Sequence, residues 1–162
     1  MSKSTDATMH RARALIPGLG EGKRGEAGYL GYLLRQAANA QRNRMDRTLA
    51  TVGLTHPQFL VMTMLRAYPG CSNADIARLT ILTPQTVHAI MTALRRKGLI
   101  TRRPDPVRRR VLNIELTDAG QNLLNRGRTR ALAVDSDLAA PMTDAEVATV
   151  RRWLVEVALK GS

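Results

Sequence analysis

The pattern of apolar and polar positions along the chain predicts six helices and one pair of short strands. Between Tyr29 and Ala50 the apolar residues recur at spacings of three, four and seven, which indicates a long amphipathic helix. Each of the five later helical segments begins directly after a residue that favours the N-cap position. These five expected caps are Thr55, Ser72, Thr83, Thr117 and Thr143.

Two runs with strand-like patterns, residues 99–103 and 111–116, flank a Pro-Asp-Pro turn and predict a β-hairpin. The hairpin follows a short helix expected from Asp75 to Leu79 and a longer one from Pro84 to Lys97. Two helices with a short connection, followed directly by a hairpin, are typical of a winged helix-turn-helix. We therefore predict a mainly α fold, a winged helix-turn-helix with a small β-hairpin wing and further helices on its N- and C-terminal sides.

Composition divides the chain into a tail and one domain. Residues 1–26 are polar, Gly-rich and basic, which predicts a flexible basic N-terminal tail. Residues 27–162 are enough for a single domain with a hydrophobic core. Within that domain we expect the winged helix-turn-helix lobe at about 54–116 and the flanking helices at about 28–51 and 117–160.

The charge of the chain is strongly basic, and much of it is local. The formal net charge is +12, and between Arg95 and Arg110 eight basic residues face one acidic residue, Asp105. Such a cluster repels itself unless an anion lies opposite, so it favours a nucleic-acid partner. The alternative is that the arginines only keep the surface soluble while the preceding helix packs on a protein partner.

Double-stranded DNA accepts a helix in its major groove, and base edges are contacted from the first turns of that helix. The apolar stripe of the helix from Pro84 leaves short polar side chains on the opposite face, and Gln85 suits a bidentate bond to adenine. Arginines of the wing suit a narrow minor groove. The predicted contacts are Thr83, Gln85, Thr86, His88, Ala89, Thr92, Arg95 and Arg96 on the helix, and Arg102, Arg103, Arg108, Arg109 and Arg110 on the wing.

Other functional classes find little support in the sequence. The three histidines have no metal-ligand spacing, and no Gly-rich phosphate loop or GxSxG motif occurs, so we expect no enzyme activity, metal or cofactor. No apolar run is long enough to span a membrane, and we expect a cytoplasmic protein. The single cysteine, Cys71, precludes an internal disulfide; it is either a small structural residue or a redox switch at a helix start.

Three segments resemble the multiple antibiotic resistance regulators of bacteria, the MarR family: LTHPQFLVMTML, DIARLTILTPQTVHAIMTALRRKGLITR and DPVRRRVLNIELTDAGQ. The resemblance runs from about Leu30 to Leu124, and the Leu-Thr-x-x-Gly after an arginine wing is particularly similar to the family. It implies an obligate homodimer on a pseudo-palindromic operator, with the first and the two last helices as dimerisation helices. The expected interface residues are Leu30, Leu33, Val150, Trp153, Leu154 and Val157.

The resemblance also implies release from DNA by a small aromatic or anionic effector, in a pocket that Arg35, His56 and Met62 would line; each also has an ordinary structural explanation. Two departures from the family pattern are visible. Arg108 stands where the family commonly has an aspartate two positions before the wing arginine, here Arg110. His88 and Ala89 stand where many relatives have Thr-Arg, so no base preference is inferred.

The resulting functional prediction is a sequence-specific transcriptional regulator, expected to be a repressor. The alternative left open by the sequence is a constitutive, weakly specific architectural DNA-binding protein without a ligand, using charge alone. Such a protein would show steep salt dependence and little sequence preference.

Overall fold

A computed structural model describes residues 16–104 and 112–160 of the chain. In this part the fold is mainly helical with one two-stranded antiparallel sheet, as predicted. A 3-10 turn at Gly22–Arg24 precedes the other elements. These are α1 (Leu30–Ala50), α2 (His56–Ala67), α3 (Asn73–Thr80), α4 (Pro84–Arg96), β1 (Ile100–Pro104), β2 (Leu112–Leu116), α5 (Asp118–Ala139) and α6 (Asp144–Lys160).

The predicted caps are confirmed as the residues that start the helices. The Thr55 hydroxyl accepts from the backbone N–H of Gln58, and the Gln58 side chain accepts from the backbone N–H of Thr55, which completes a capping box. Ser72 makes the same reciprocal arrangement at α3, and Thr143 makes it at α6. Each such cap stabilises a helix by about 1 kcal/mol relative to alanine.

The chain divides into two compact units, Met1–Ala40 and Gln41–Ser162. In the first unit the Arg24 guanidinium donates to the carbonyl oxygen of Pro17 at 2.8 Å, and Lys23 lies over the ring of Tyr29. The turn is close-packed, since a Cβ on Gly25 would lie 2.2 Å from the carbonyl oxygen of Gly20. Residues 1–15 of the predicted tail lie outside the described residues, and its flexibility stays a prediction.

The second unit holds the hydrophobic core. Its fully buried side chains come from the C-terminal part of α1 and from α2, α3, α4 and α5: Leu49, Val61, Met62, Ile76, Val87, Leu94 and Leu124. The one buried polar side chain among the described residues is Thr80, whose hydroxyl donates to the carbonyl oxygen of Ile76 at 2.6 Å. The Thr80 hydroxyl is therefore hydrogen-bonded although it is buried in the core.

The hairpin pairs Ile100 with Leu116 at its base and Pro104 with Leu112 at the far end of the ladder. Ile100 is buried, so the base of the wing is anchored in the core. The predicted contacts Arg108, Arg109 and Arg110 fall in the connection between the strands, outside the described residues. Among the helices described, none combines the length and apolar character needed to cross a membrane.

Candidate nucleic-acid interface

Helix α4 is positioned by a cap at its start and by one buried stripe. The Thr83 hydroxyl accepts from the backbone N–H of Thr86 at 3.1 Å, and Pro84 occupies the first turn. Val87, Met91 and Leu94 are buried. The three- and four-residue spacing of these apolar side chains directs the opposite face of α4 away from the core.

That opposite face carries the side chains predicted to contact DNA. Thr92 is half-buried, and the remaining predicted contacts on the helix are all exposed: Thr83, Gln85, Thr86, His88, Ala89, Arg95 and Arg96. The polar side chains begin in the first turn, and the guanidinium groups lie in the last turn. The helix thus offers donors and acceptors of the kind that read base edges, followed by cations of the kind that contact phosphates.

A small cleft brings the helix and the hairpin together. His88, Thr92 and Arg95 of α4 line it on one side, and Arg102 of β1 lines it on the other. Asn73, the first residue of α3, also lines the cleft, although the sequence indicated only a helix start there. Because its polar side chain lines the same cleft as His88, Asn73 is a further candidate, which no local pattern in the sequence identifies.

The described part of the wing carries two predicted arginines. Arg102 and Arg103 are both exposed on β1. Arg103 Nε lies 3.7 Å from Glu115 Oε2 on the neighbouring strand, and the two side chains are 72% and 45% exposed. An ion pair as exposed as this contributes little stability, so the guanidinium remains accessible to a phosphate.

The start of α3 carries an exposed charge pair. Hydrogen bonds from Ser72 and then Arg78 lower the pKa of Asp75 to about 2. Asp75 forms ion pairs with Arg78 one turn along the helix, and the Arg78 side chain is 79% exposed. The carboxylate therefore fixes the helix start, while the guanidinium lies on the surface beside the turn that leads into α4.

The turn between α3 and α4 contains an unusual residue that sequence reasoning missed. Ile81 has φ 56° and ψ 38°, in the left-handed region. The backbone N–H of Leu82 donates to the carbonyl oxygen of Ala77 at 3.1 Å, which is the closing bond of a Schellman motif. Glycine usually occupies this position, and a β-branched residue there costs of the order of 1–3 kcal/mol. The Ile81 side chain is 94% exposed.

The residues predicted to line an effector pocket are spread over both units. Arg35, in the first unit, is exposed and lies over the ring of Tyr32. In the second unit Met62 is fully buried in the core, and His56 is half-buried. Burial lowers the pKa of His56, while Asp46 opposes and Arg42 adds to that shift. The described residues contain no group of three or more His, Cys, Asp or Glu that could hold a metal ion.

The second unit contains a different concave surface between α1, α2 and α5, which we call the α2–α5 cleft. It is lined by Met45, Phe59, Thr63, Arg66, Arg128, Leu132 and Asp135. The Arg66 guanidinium donates to Asn125 Oδ1 at 2.9 Å. Two arginines beside an aromatic ring provide both charge and apolar contact, the combination that an aromatic anion requires.

Among the residues predicted to form a dimer interface, those on α6 share one feature. Val150, Trp153, Leu154 and Val157 are between 37% and 41% exposed, and no residue of α6 is buried. In the first unit Leu30 is 70% exposed, whereas Leu33 is half-buried.

Comparison with known proteins identifies the family. Residues 54–112 match the MarR family. The HTH-type transcriptional repressor Rv2887 of Mycobacterium tuberculosis is 31% identical over 125 residues, which are 77% of this chain and 90% of that repressor. The chain belongs to the MarR family. The MarR resemblance inferred from the three sequence segments is thus confirmed.

Two crystal structures of the MarR-family protein Rv2887 share the fold. The complex with p-aminosalicylic acid has a TM-score of 0.67 and 30% identity, covering 81% of this chain and 99% of that one. The complex with DNA has a TM-score of 0.65 and 28% identity, covering 80% of this chain and 98% of that one. The winged helix fold is therefore confirmed, and the relatives of the chain are DNA-binding transcriptional repressors of the MarR family.

Proposed function

We propose that the chain is a sequence-specific transcriptional repressor without enzyme activity, which binds a pseudo-palindromic operator as a homodimer and leaves it when a small aromatic anion binds. The observation that carries the proposal is the exposed polar face of α4 beside the arginine-bearing wing. Membership in a family of DNA-binding repressors supports the class of function. The net charge of +12 agrees with a polyanionic partner.

The proposed DNA contacts divide into two groups by chemistry. Gln85, Thr86, His88 and Ala89 lie early in α4 and would read base edges in the major groove. The arginines at the end of α4 and on the wing would contact phosphates or the minor groove. Arg108, Arg109 and Arg110 belong to this second group as predictions, since they lie outside the described residues.

A homodimer is supported by the uncovered apolar face of α6. An amphipathic helix whose apolar side chains find no cover within the chain needs a partner surface. A second copy supplies that surface through a two-fold axis, and Leu30 and Leu33 of α1 are the other proposed contacts. A two-fold dimer places its recognition helices roughly 10 to 11 base pairs apart, so the operator should contain two half-sites at that spacing.

An aromatic anion is supported by the α2–α5 cleft. Arg66 and Arg128 would pair with a carboxylate, and Phe59 would contact the ring. The relative Rv2887 has been crystallised with p-aminosalicylic acid, which makes this compound a reasonable probe. The effector pocket predicted from the sequence, lined by Arg35, His56 and Met62, stays a prediction. Variants of these residues can be compared with variants of the α2–α5 cleft.

The first experiment selects genomic fragments that the purified protein binds, for the wild type and for Gln85→Ala/His88→Ala. We expect a palindrome for the wild type and its loss in the double variant, because each lost base contact weakens discrimination by about 1–3 kcal/mol. Arg126→Ala/Arg130→Ala, on exposed positions of α5, is the matched control and should recover the same palindrome. Fragments without a common motif in all variants would instead support an architectural DNA-binding protein.

The effector is tested by titrating p-aminosalicylate against the protein–operator complex. We expect release from the wild type and weaker release from Arg66→Gln and Arg128→Gln, which lose the cations of the cleft. Arg130→Gln removes the same charge from an exposed position nearby on α5 and should behave as the wild type. Equal release from all four proteins would place the effector elsewhere.

A further inference from the structure

The turn between α3 and α4 holds a residue that the folded chain alone does not explain. Ile81 combines a left-handed backbone with an apolar side chain that is 94% exposed. The backbone conformation favours glycine or asparagine, and the exposed side chain gains nothing from burial within the chain. Strained positions of this kind concentrate where a protein meets its ligand.

The surroundings of Ile81 indicate what the side chain would contact. Ile81 and Leu82 line a shallow, mainly apolar depression together with Thr83 and Pro84, the cap and first residue of α4. Arg78 lines the same depression from α3, and its guanidinium is exposed. The depression is therefore continuous with the proposed DNA-reading face and carries a cation suited to a phosphate.

We propose that Ile81 contacts the operator DNA and contributes directly to affinity through its apolar side chain. This inference rests on the proposed function, and it adds a residue that the base-reading pattern of α4 does not include. DNA has two apolar surfaces that the Ile81 side chain could contact. One is the C5-methyl group of thymine in the major groove, and the other is the carbon atoms of deoxyribose. Arg78 would hold the neighbouring phosphate while Ile81 excludes water from the contact.

The test uses the full chain and the operator recovered by genomic selection. Ile81→Asn keeps a residue that tolerates the left-handed backbone and removes the apolar side chain, whereas Ile81→Val keeps a β-branched apolar side chain. We expect Ile81→Asn to melt at the same or a higher temperature and to bind the operator about threefold to tenfold more weakly. We expect Ile81→Val to bind within about twofold of the wild type.

Several outcomes would overturn the proposal. Unchanged operator affinity in Ile81→Asn, with binding lost in Gln85→Ala/His88→Ala, would refute the role of Ile81 and leave the proposed function intact. A lower melting temperature in both Ile81→Asn and Ile81→Gly would assign the side chain to folding. Unchanged DNA binding with an altered sedimentation coefficient would assign it to contact with a second copy. Failure of the wild type to select any motif would contradict the proposed function itself.

The source of the apolar contact is resolved by replacing operator thymines one at a time with deoxyuridine, which removes only the methyl group. A position where the wild type loses affinity and Ile81→Asn does not identifies a thymine methyl as the partner. Weaker binding by Ile81→Asn at every operator, without such a position, identifies deoxyribose. Both results support a direct contact of Ile81 with DNA.

Discussion

The side-chain hydroxyl of Thr117 donates a hydrogen bond to the carbonyl oxygen of Gly98 across 2.7 Å. Gly98 closes α4 with a φ of 67°, and Thr117 also accepts from the backbone N–H of Gly120 at 3.1 Å, which caps α5. A Cβ on Gly120 would lie 2.1 Å from the carbonyl oxygen of Leu99. The Leu-Thr-x-x-Gly segment therefore joins the end of the proposed recognition helix closely to the next long helix.

Replacing Thr117 by alanine removes both hydrogen bonds of its side-chain hydroxyl. We expect the free energy of unfolding to fall by about 1–2 kcal/mol, because the cap of α5 is lost and the Gly98 carbonyl loses a partner. Urea denaturation measures the change. Thr129→Ala is the matched control, since its hydroxyl bonds only within α5, to the carbonyl oxygen of Asn125; a change within about 0.5 kcal/mol is expected. Equal losses in both variants would contradict the special role of Thr117.

Arg102 and Arg103, the wing arginines among the described residues, should contribute to the salt dependence of operator binding. Each phosphate contact contributes a slope of about −0.9 in a plot of log affinity against log salt concentration. Arg102→Ala/Arg103→Ala should therefore reduce the magnitude of the slope by about 1 to 2. Fluorescence anisotropy at four salt concentrations measures it. Arg126→Ala/Arg130→Ala carries the same charge change away from the wing, and a similar drop there would indicate a general charge effect.

Local chemistry explains why much of the fold could be predicted from the sequence. The Thr55 and Gln58 pair completes its capping box from residues three apart, and the stripe of Val87, Met91 and Leu94 follows from helical periodicity alone. The hairpin follows from two strand-like runs around Pro-Asp-Pro. The determining contacts lie within one or two helical turns in the helices, and within a single hairpin, from Ile100 to Leu116, in the sheet.

Features set by tertiary packing could not be predicted in the same way. The left-handed backbone of Ile81 follows from how the turn closes between α3 and α4, and propensity alone argues against isoleucine there. Asn73 and His88 line the same cleft only because two helices and the hairpin pack together. The α2–α5 cleft likewise joins Phe59 and Arg128, which are far apart in the sequence.

The pH dependence of stability should contain a contribution from His56. Burial lowers the pKa of this imidazole below its usual 6.5, so the unfolded chain binds the proton more readily than the folded chain. The stability that the neutral His56 side chain gives the folded state is therefore fully present above pH 6.5. It is lost as the pH falls from 6.5 through the pKa of His56 in the folded state. Urea midpoints between pH 8 and pH 5 should fall less steeply for His56→Asn than for the wild type.

The charge of Asp46 allows a second test of the lowered pKa of His56. Its carboxylate accepts from the backbone N–H of His56 at 3.2 Å, and its charge raises the pKa of His56 against the effect of burial. Asp46→Asn keeps an acceptor oxygen and removes the charge, so NMR titration should show a still lower pKa for His56. A raised His56 pKa in Asp46→Asn would contradict the assignment.

The proposed dimer should depend on Trp153 more than on its neighbours outside the apolar face of α6. Trp153 is 37% exposed in the isolated chain, and a tryptophan at the centre of an interface commonly contributes about 2 kcal/mol or more to association. Trp153→Ala should therefore raise the dimer dissociation constant by roughly thirtyfold. Analytical ultracentrifugation over a concentration series measures the dissociation constant.

Val155 provides the control, because it is also exposed on α6 but lies away from the face of Val150, Leu154 and Val157. Val155→Ala should leave the dimer dissociation constant within about twofold of the wild type. A monomeric wild type, or equal weakening by both substitutions, would contradict an interface centred on Trp153.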